Sequence, residues 1–459
     1  MTTASPSVVW PPVYDATFRP DDAEPYWDRK RETISSDERS AIVLAKVRAV
    51  MGYAWERAPF YHDRWKRAGL EPGDIRTLDD FARVPTISKS DLRADQAEHP
   101  PYGSYVCADP RDIVRIHGTS GTSGRPTAFA WCAQDLAAIG EAHARIMWSF
   151  GIRPHDVVFV GSIFSLYVGS WGTLAGIERL GAAAFPFGAG VPGQTAQAVS
   201  WIRQMRPTAF YGTPSYALRL AETARAAGID PADLGLRIMF FSGEPGAGIP
   251  ATKRMIEKTF AAICIDCGSM GEVTPWMNLA ECARRTGMHL WQDLVYTELC
   301  DPVAWTSVPY GARGTPVYTQ LERTTQPMIR LVSGDLAEWT DAPCPCGRTY
   351  PRFPLGIIGR IDDMLVIRGE NIYPSAIESV LRDFEELGTE FEIVVTRERH
   401  MDEILVRGEV REATGDDELR ARVAAALRTK IGVRPAVELC AEGTLGRSDL
   451  KSRRVRDLR

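Results

Sequence analysis

Ile116-His-Gly-Thr-Ser-Gly-Thr-Ser-Gly-Arg-Pro-Thr127 is the stretch on which the reading of this chain turns. Three glycines, Gly118, Gly121 and Gly124, let the backbone fold closely around an anion. The hydroxyls of Thr119, Ser120, Thr122 and Ser123, with the backbone N–H groups, supply donors. Arg125 adds a fixed positive charge suited to phosphate oxygens. A Walker A loop needs Gly, four residues, then Gly-Lys-Ser/Thr opening a helix. Here Arg-Pro follows the last glycine, and Thr127-Ala-Phe-Ala-Trp131 reads as a strand. The Walker reading fails. A plain flexible turn is the alternative for the loop taken alone.

Around this loop the chain alternates between short β-rich runs and helical stretches from Pro110 to Pro354. Asp156–Val160, Ala182–Pro186, Thr208–Tyr211 and Leu236–Phe241 read as strands, and Gln194–Met205 and Ser215–Ala227 as helices. That rhythm predicts an α/β sheet built largely from βα units. Upstream, Tyr26 to about Ala68 is charged and helix-patterned, with Ile42, Leu44, Val47, Val50 and Met51 near helical spacing. After Gly359 a compact series begins: strand Met364–Ile367, a helix from Ser375, strands Glu392–Val395 and Ile404–Arg407, then a helix over 416–430. This predicts a small separate α+β domain. The expected division is an N-terminal domain over 1–360 and a C-terminal one over 361–459. A length of 459 residues suits more than one core.

A net charge of -5 gives no electrostatic reason to expect a nucleic-acid partner. No run of about 18 apolar residues suggests a membrane span, and Met1–Trp10 lacks the basic and apolar regions of a signal peptide. Nine cysteines without a framework-like distribution favour a reducing compartment. A cytoplasmic protein is expected.

Further motifs follow the loop in order. Ser242-Gly-Glu-Pro245, Asp266-Cys-Gly-Ser-Met-Gly-Glu272, Gly334-Asp-Leu336, Gly359-Arg-Ile-Asp-Asp-Met-Leu-Val-Ile-Arg-Gly-Glu-Asn-Ile-Tyr-Pro374 and Gly446-Arg-Ser-Asp-Leu-Lys451 are spread along the chain. With the loop they resemble the ordered signature of the adenylate-forming superfamily. Ala58-Pro-Phe-Tyr61, Ile87-Ser-Lys-Ser-Asp-Leu92 and Gly212-Thr-Pro-Ser-Tyr216 are similar to segments of its phenylacetate–CoA ligase group. The likeness covers nearly the whole chain. It implies a large multi-subdomain α/β N-terminal domain and a small mobile α+β C-terminal domain. It also implies ATP-dependent conversion of a carboxylic acid to an acyl-adenylate, then to a coenzyme A thioester.

The resemblance also implies roles. Thr119, Ser120, Gly121, Thr122, Ser123, Gly124 and Arg125 would hold the β- and γ-phosphates, with Lys89 reaching phosphate too. Glu244, Pro245 and Asp266 would lie near adenine. Asp335 would accept the ribose hydroxyls with Arg360 assisting. Glu272 would hold Mg²⁺, a hard cation suited to carboxylate and phosphate oxygens. Lys451 would bridge carboxylate and α-phosphate during adenylation, Asp362 would be the hinge, and Gly369 would border the pantetheine arm. Phe164, Tyr167, Trp171, Gly212, Gly268 and Met270 fall in acyl-pocket segments. Their aromatic and glycine content suits an aromatic carboxylate. Two departures stand out: Gly271 replaces the hydroxyl residue usual before the glutamate, and Leu450 the glycine usual before the lysine.

Cys282, His289, Cys344 and Cys346 have the composition of a closed Cys₃His zinc site, which would be structural. Four unrelated residues are the alternative. Two other functions stay open: a stand-alone adenylation protein loading a carrier protein's phosphopantetheine, and a nucleotide sensor without turnover. A homodimer is among the assemblies the sequence allows.

Overall fold

The computed structural model describes residues 8–119, 127–166, 168–189, 193–274, 277–368, 370–398, 401–411, 417–446 and 454–459. The chain divides into two compact units, Met1–Gly188 with Ile265–Gly356, and Ala189–Cys264 with Ile357–Arg459.

In the first unit, the helix Ser36–Arg57 starts on a capping box between Ser35 and Glu38, which satisfies two otherwise orphaned N–H groups. Val43, Val47, Val50 and Met51 on its inner face are buried. Pro59 opens the next helix, Pro59–Arg67, and buries Tyr61 and Trp65. Ile113–Gly118 and Ala128–Cys132 form an antiparallel ribbon whose last pair is Gly118 with Ala128. In sequence, the glycine-rich stretch connects these two strands. Val157–Val160 and Ala183–Phe185 run parallel, joined through the helix Gly169–Leu180, which ends on left-handed Gly181. This helix packs on Ala133–Ser149 at Gly176, where a Cβ would come 2.5 Å from His143 Cβ.

From Ile265 onward the βα rhythm stops, which corrects the expectation for this stretch. Leu279–Glu281 pairs antiparallel with Met288–Leu290, which pairs with Arg352–Phe353. Val295–Cys300 pairs with Arg313–Gln320, and Arg313–Gln320 with Leu331–Val332 and Asp335–Glu338. The reason for the misreading lies in burial. Seven of the eight residues of Arg313–Gln320 are buried, so the alternation that marks a half-exposed strand is missing.

This unit also holds a buried charge network. Arg145 pairs with Asp293 at 2.7 Å and lies 3.5 Å from Glu32; Arg348 meets Glu32 at 2.6 Å, and Lys46 meets Glu322 at 2.5 Å. Tyr350 donates to Asp293 over 2.7 Å. Arg145 and its neighbours hold the Asp293 carboxyl well below the usual carboxylate range, against the effect of burial.

The second unit matches the expected elements closely. Gln194–Met205, Pro214–Ala226 and Pro250–Phe260 are helices, and Ala209–Gly212 pairs parallel with Ile238–Phe241. Its other segment is a hairpin of Leu365–Ile367 with Glu370–Ile372, then the helix Pro374–Leu381. Leu387–Glu398 and Met401–Val410 pair antiparallel, and the helix Asp417–Ile431 follows. Ala436–Ala441 and Val455–Asp457 add parallel edges that the sequence reading lacked. Ile367, Ile377, Ile393, Val406, Val423 and Leu427 lie in one apolar cluster contained within residues 365–433.

Candidate active site and metal centre

The first unit anchors the glycine-rich loop at both ends. Thr119 N–H donates to the Thr127 carbonyl over 3.1 Å, and Thr127 N–H returns a bond to Thr119 Oγ1 at 3.4 Å. Gly118 N–H donates to the Leu166 carbonyl at 3.0 Å, an oxygen that also lies 3.2 Å from His117 Nδ1. Burial lowers the His117 pKa first, with the Leu166 bond opposing, so its ring is neutral near pH 7. Residues 120–126, which include Ser120, Gly121, Thr122, Ser123, Gly124 and Arg125, lie outside the described residues. So do Tyr167, Gly369 and Lys451.

Lys89 and Glu272 come together. Lys89 opens the helix Lys89–Glu98, which is capped by a box between Ser88 and Asp91. Its Nζ lies 3.2 Å from Glu272 Oε1, with the glutamate side chain almost fully buried. Met270 is buried, and its carbonyl accepts Val273 N–H and Thr274 N–H, which forms the turn carrying Glu272. At Gly271 a Cβ would meet only Val168 Cγ1, at 3.6 Å.

Asp266 is buried and its N–H donates to Glu281 Oε2 at 2.9 Å. A Cβ on Gly356 would come 2.9 Å from its carboxylate. At Gly268 a Cβ would crowd Leu279 Cδ1 at 3.2 Å. Asp335 heads the strand Asp335–Glu338, where Ser333 Oγ accepts its N–H. Phe164 and Trp171 pack edge to face with centroids 5.2 Å apart, and Trp171 Nε1 donates to Ser165 O.

In the second unit, Glu244 Oε1 accepts the N–H of Ser215 over 2.6 Å and its hydroxyl as well. Burial pushes the Glu244 carboxyl up, with Ser215 opposing. Pro245 opens a short turn over Pro245–Gly248. Gly212 ends its strand, and its carbonyl accepts Ser242 N–H. Arg360 and Asp362 form a two-point pair, Nε to Oδ1 at 2.7 Å and Nη2 to Oδ2 at 2.8 Å.

The four candidate metal ligands converge. The hairpin of Leu279–Glu281 and Met288–Leu290 presents Cys282 and His289, and its turn uses Gly287 at φ +107°. Cys344 and Cys346 come from the turn after Thr340, closed by Gly347 at φ +83°. A Cβ on Gly347 would collide with the Tyr26 hydroxyl. Cys282 Sγ lies 3.8 Å from Cys344 Sγ, and Cys346 Sγ lies 3.5 Å from His289 Nε2. All four ligand atoms fall within 4.8 Å of one another. A tetrahedral zinc with bonds of about 2.3 Å has ligand–ligand edges of about 3.8 Å, so the donor set fits. The Cys346 thiol is held low, first by its hydrogen bond with Cys282, whose own thiol that bond pushes up.

No helix among the described residues is long and apolar enough to cross a membrane. Sequence reading passed over Arg323 and His117. His117 lies in the glycine-rich stretch without an assigned role, Arg323 belongs to no motif, and only the fold shows Arg323 buried and donating to the Glu272 carbonyl.

The AMP-binding enzyme family model matches residues 36–312, and the AMP-binding enzyme C-terminal domain model matches residues 369–459. The phenylacetate-coenzyme A ligase of Thermus thermophilus is 33% identical over 449 residues, covering 93% of this chain and 98% of that protein. That of Pseudomonas putida is 33% identical over 436 residues, covering 93% and 96%. Among solved structures, 2-hydroxyisobutyryl-CoA ligase is 52% identical. In the postadenylation state with 2-HIB-AMP it superposes with a TM-score of 0.94, covering 97% of this chain and 95% of that one. In the thioesterification state with 2-HIB-AMP and CoA the TM-score is 0.77, with 98% and 96% covered. The expected adenylate-forming ligase fold is therefore present, and the chain belongs to the AMP-binding enzyme family, as an AMP-forming acid–coenzyme A ligase.

Proposed function

We propose that this enzyme activates a compact carboxylic acid, with short branched 2-hydroxy acids preferred, as the acyl-adenylate and transfers the acyl group to coenzyme A. The observation that carries the acid class is the 52% identity, over nearly the full chain, to a 2-hydroxyisobutyryl-CoA ligase. An aryl acid is the second reading, favoured by the phenylacetate-coenzyme A ligases at 33% identity. A panel of acids with ATP and CoA, read by thioester mass, tests both. The expected result is a higher kcat/KM for 2-hydroxyisobutyrate than for phenylacetate or benzoate; the reverse order would establish the aryl reading instead.

In this reading residues 119–125 and Lys89 cradle the ATP phosphates. Positive charge and oriented donors are the main resource when two anions must react. Glu272 holds Mg²⁺, Glu244, Pro245 and Asp266 border adenine, and Asp335 with Arg360 takes the ribose. Met270, Gly268, Gly212 and Tyr167 line the acyl group. The C-terminal domain begins near residue 361, as its self-contained core supports. It pivots at Asp362 to bring first Lys451 and then Gly369 into use. Cys282, His289, Cys344 and Cys346 hold a structural zinc, since four protein ligands leave no open position. A cytoplasmic setting agrees with keeping these thiols reduced.

A further inference from the structure

Arg323 lies in Leu321-Glu-Arg-Thr-Thr-Gln-Pro327, and only 1% of it is exposed. No carboxylate among the described residues pairs with it. Asp135 is near enough to act on its charge, but the Asp135 oxygens accept Thr324 and Thr325 N–H groups and not the guanidinium. Burying a guanidinium with no carboxylate bonded to it is costly, so the contacts it does make call for a reason.

Its contacts suggest that reason. Nη1 donates to the backbone carbonyl of Glu272 at 2.7 Å. Nη2 reaches the Ala130 carbonyl at 3.4 Å and Gln326 Oε1 at 3.3 Å. Gln326 Oε1 also accepts Ala130 N–H at 2.8 Å, and its Nε2 donates to the Tyr102 carbonyl. The guanidinium lies 3.7 Å over the Trp131 ring, which fixes its plane. Ala130 and Trp131 belong to the strand that leaves the phosphate loop. One rigid fork thus ties the Glu272 backbone, at the end of the metal-facing turn, to the ribbon that carries the loop. Burial lowers the Arg323 pKa to about 10, which leaves it charged near neutral pH.

We propose that Arg323 is a positioning residue for adenylation: it fixes the Glu272 turn against the phosphate-loop ribbon and so sets where the ATP-bound divalent cation is held. The proposal rests on the reading that Glu272 holds that cation. A lysine could keep the charge but could not reach the Glu272 and Ala130 carbonyls with one planar fork.

The test compares full-length Arg323→Lys, Arg323→Met and Glu272→Gln with the parent. Mn²⁺ is titrated in the presence of a non-hydrolysable ATP analogue, with free Mn²⁺ followed by its electron spin resonance signal. Thioester formation from synthetic acyl-adenylate and the unfolding temperature are measured alongside. Both Arg323 variants are expected to bind Mn²⁺ about tenfold or more weakly, the usual effect of losing a residue that orients a metal ligand. Thioester formation from the adenylate should be unchanged. Folded Arg323→Lys and Arg323→Met with parental Mn²⁺ affinity, beside a weakened Glu272→Gln, would overturn the role of Arg323 alone. Parental affinity in Glu272→Gln would overturn the underlying reading as well. Equal loss of both half-reactions with a lowered unfolding temperature would reduce Arg323 to a support of the fold.

Discussion

Glu272 and Asp293 are both buried carboxylates, and the sequence treats them very differently. Glu272 is legible because it ends a recognisable motif, and the structure brings it to Lys89, which a second motif had singled out. Asp293 has no motif. Only folding brings Arg145, Tyr350 and Lys46 around it, from positions 57 to 247 residues away. Replacing Asp293 by asparagine leaves Arg145 with less counter-charge in a dry interior, so unfolding free energy should fall by about 3–5 kcal/mol. Urea denaturation measures this; a midpoint equal to the parent's would mean that Glu32 alone balances Arg145. Gly271 offers the opposite case. Its Cβ would make only an ordinary contact with Val168 at 3.6 Å, and its φ is not positive. Gly271→Ser should therefore change stability by no more than about 0.5 kcal/mol. It should also lower KM for ATP by supplying the hydroxyl that the family resemblance leads one to expect there. An unchanged KM would show that the phosphates are already fully held without it.

Among the elements, helices are legible through their apolar period, and the buried strands Ala209–Gly212 and Ile238–Phe241 through short apolar runs. Gln194–Met205 has the bounds expected of it. The strands between Leu279 and Glu338 are two to eight residues long, and buried polar residues such as Glu281, Thr297 and Thr319 inside them break up any apolar run. The Cys–His hairpin lies within that stretch, yet its candidate ligands stand out in the sequence. Sulfur and imidazole donors beside tight glycine turns carry a chemical signal that does not depend on period. What the sequence does not convey is what the 344–350 turn touches. Tyr26 donates to the Cys346 carbonyl at 3.0 Å, Arg348 meets Glu32, and Arg39 donates to the Thr349 carbonyl. Zinc should therefore fasten the 344–350 turn and, through it, residues 26–39. Metal analysis of freshly prepared protein should find about one zinc per chain. Cys344→Ser should lose the metal, lower the unfolding temperature and speed proteolysis before residue 40. Protein prepared without chelator that contains no zinc would end the idea.

At the scale of the whole molecule, the order of the motifs is legible in the sequence, and the family models that match residues 36–312 and 369–459 agree with it. The acid is not legible in the sequence, because the shape of an acyl pocket is set by packing between side chains distant in the chain. The relative at 52% identity has been solved in postadenylation and thioesterification states, to which this chain superposes with TM-scores of 0.94 and 0.77. One enzyme of this kind therefore runs two half-reactions, and a residue serving only one can be told apart by assay. Lys451, by its spacing after Gly446-Arg-Ser, is the residue proposed for the first. In adenylation the acid's carboxylate and the α-phosphate are both negative, and an ammonium bridging them stabilises charge as the bond forms. Losing one such donor costs about 2.7–4 kcal/mol, or roughly 10²–10³ in rate. Thiol attack on the finished adenylate has no need of that bridge. Lys451→Ala should thus lower pyrophosphate release by that factor while thioester formation from synthetic acyl-adenylate proceeds at the parental rate. Equal impairment of both half-reactions would point to damage to the fold, and normal adenylation would transfer the role to another cation, with Lys430, at the end of the helix Asp417–Ile431, the first to be tried.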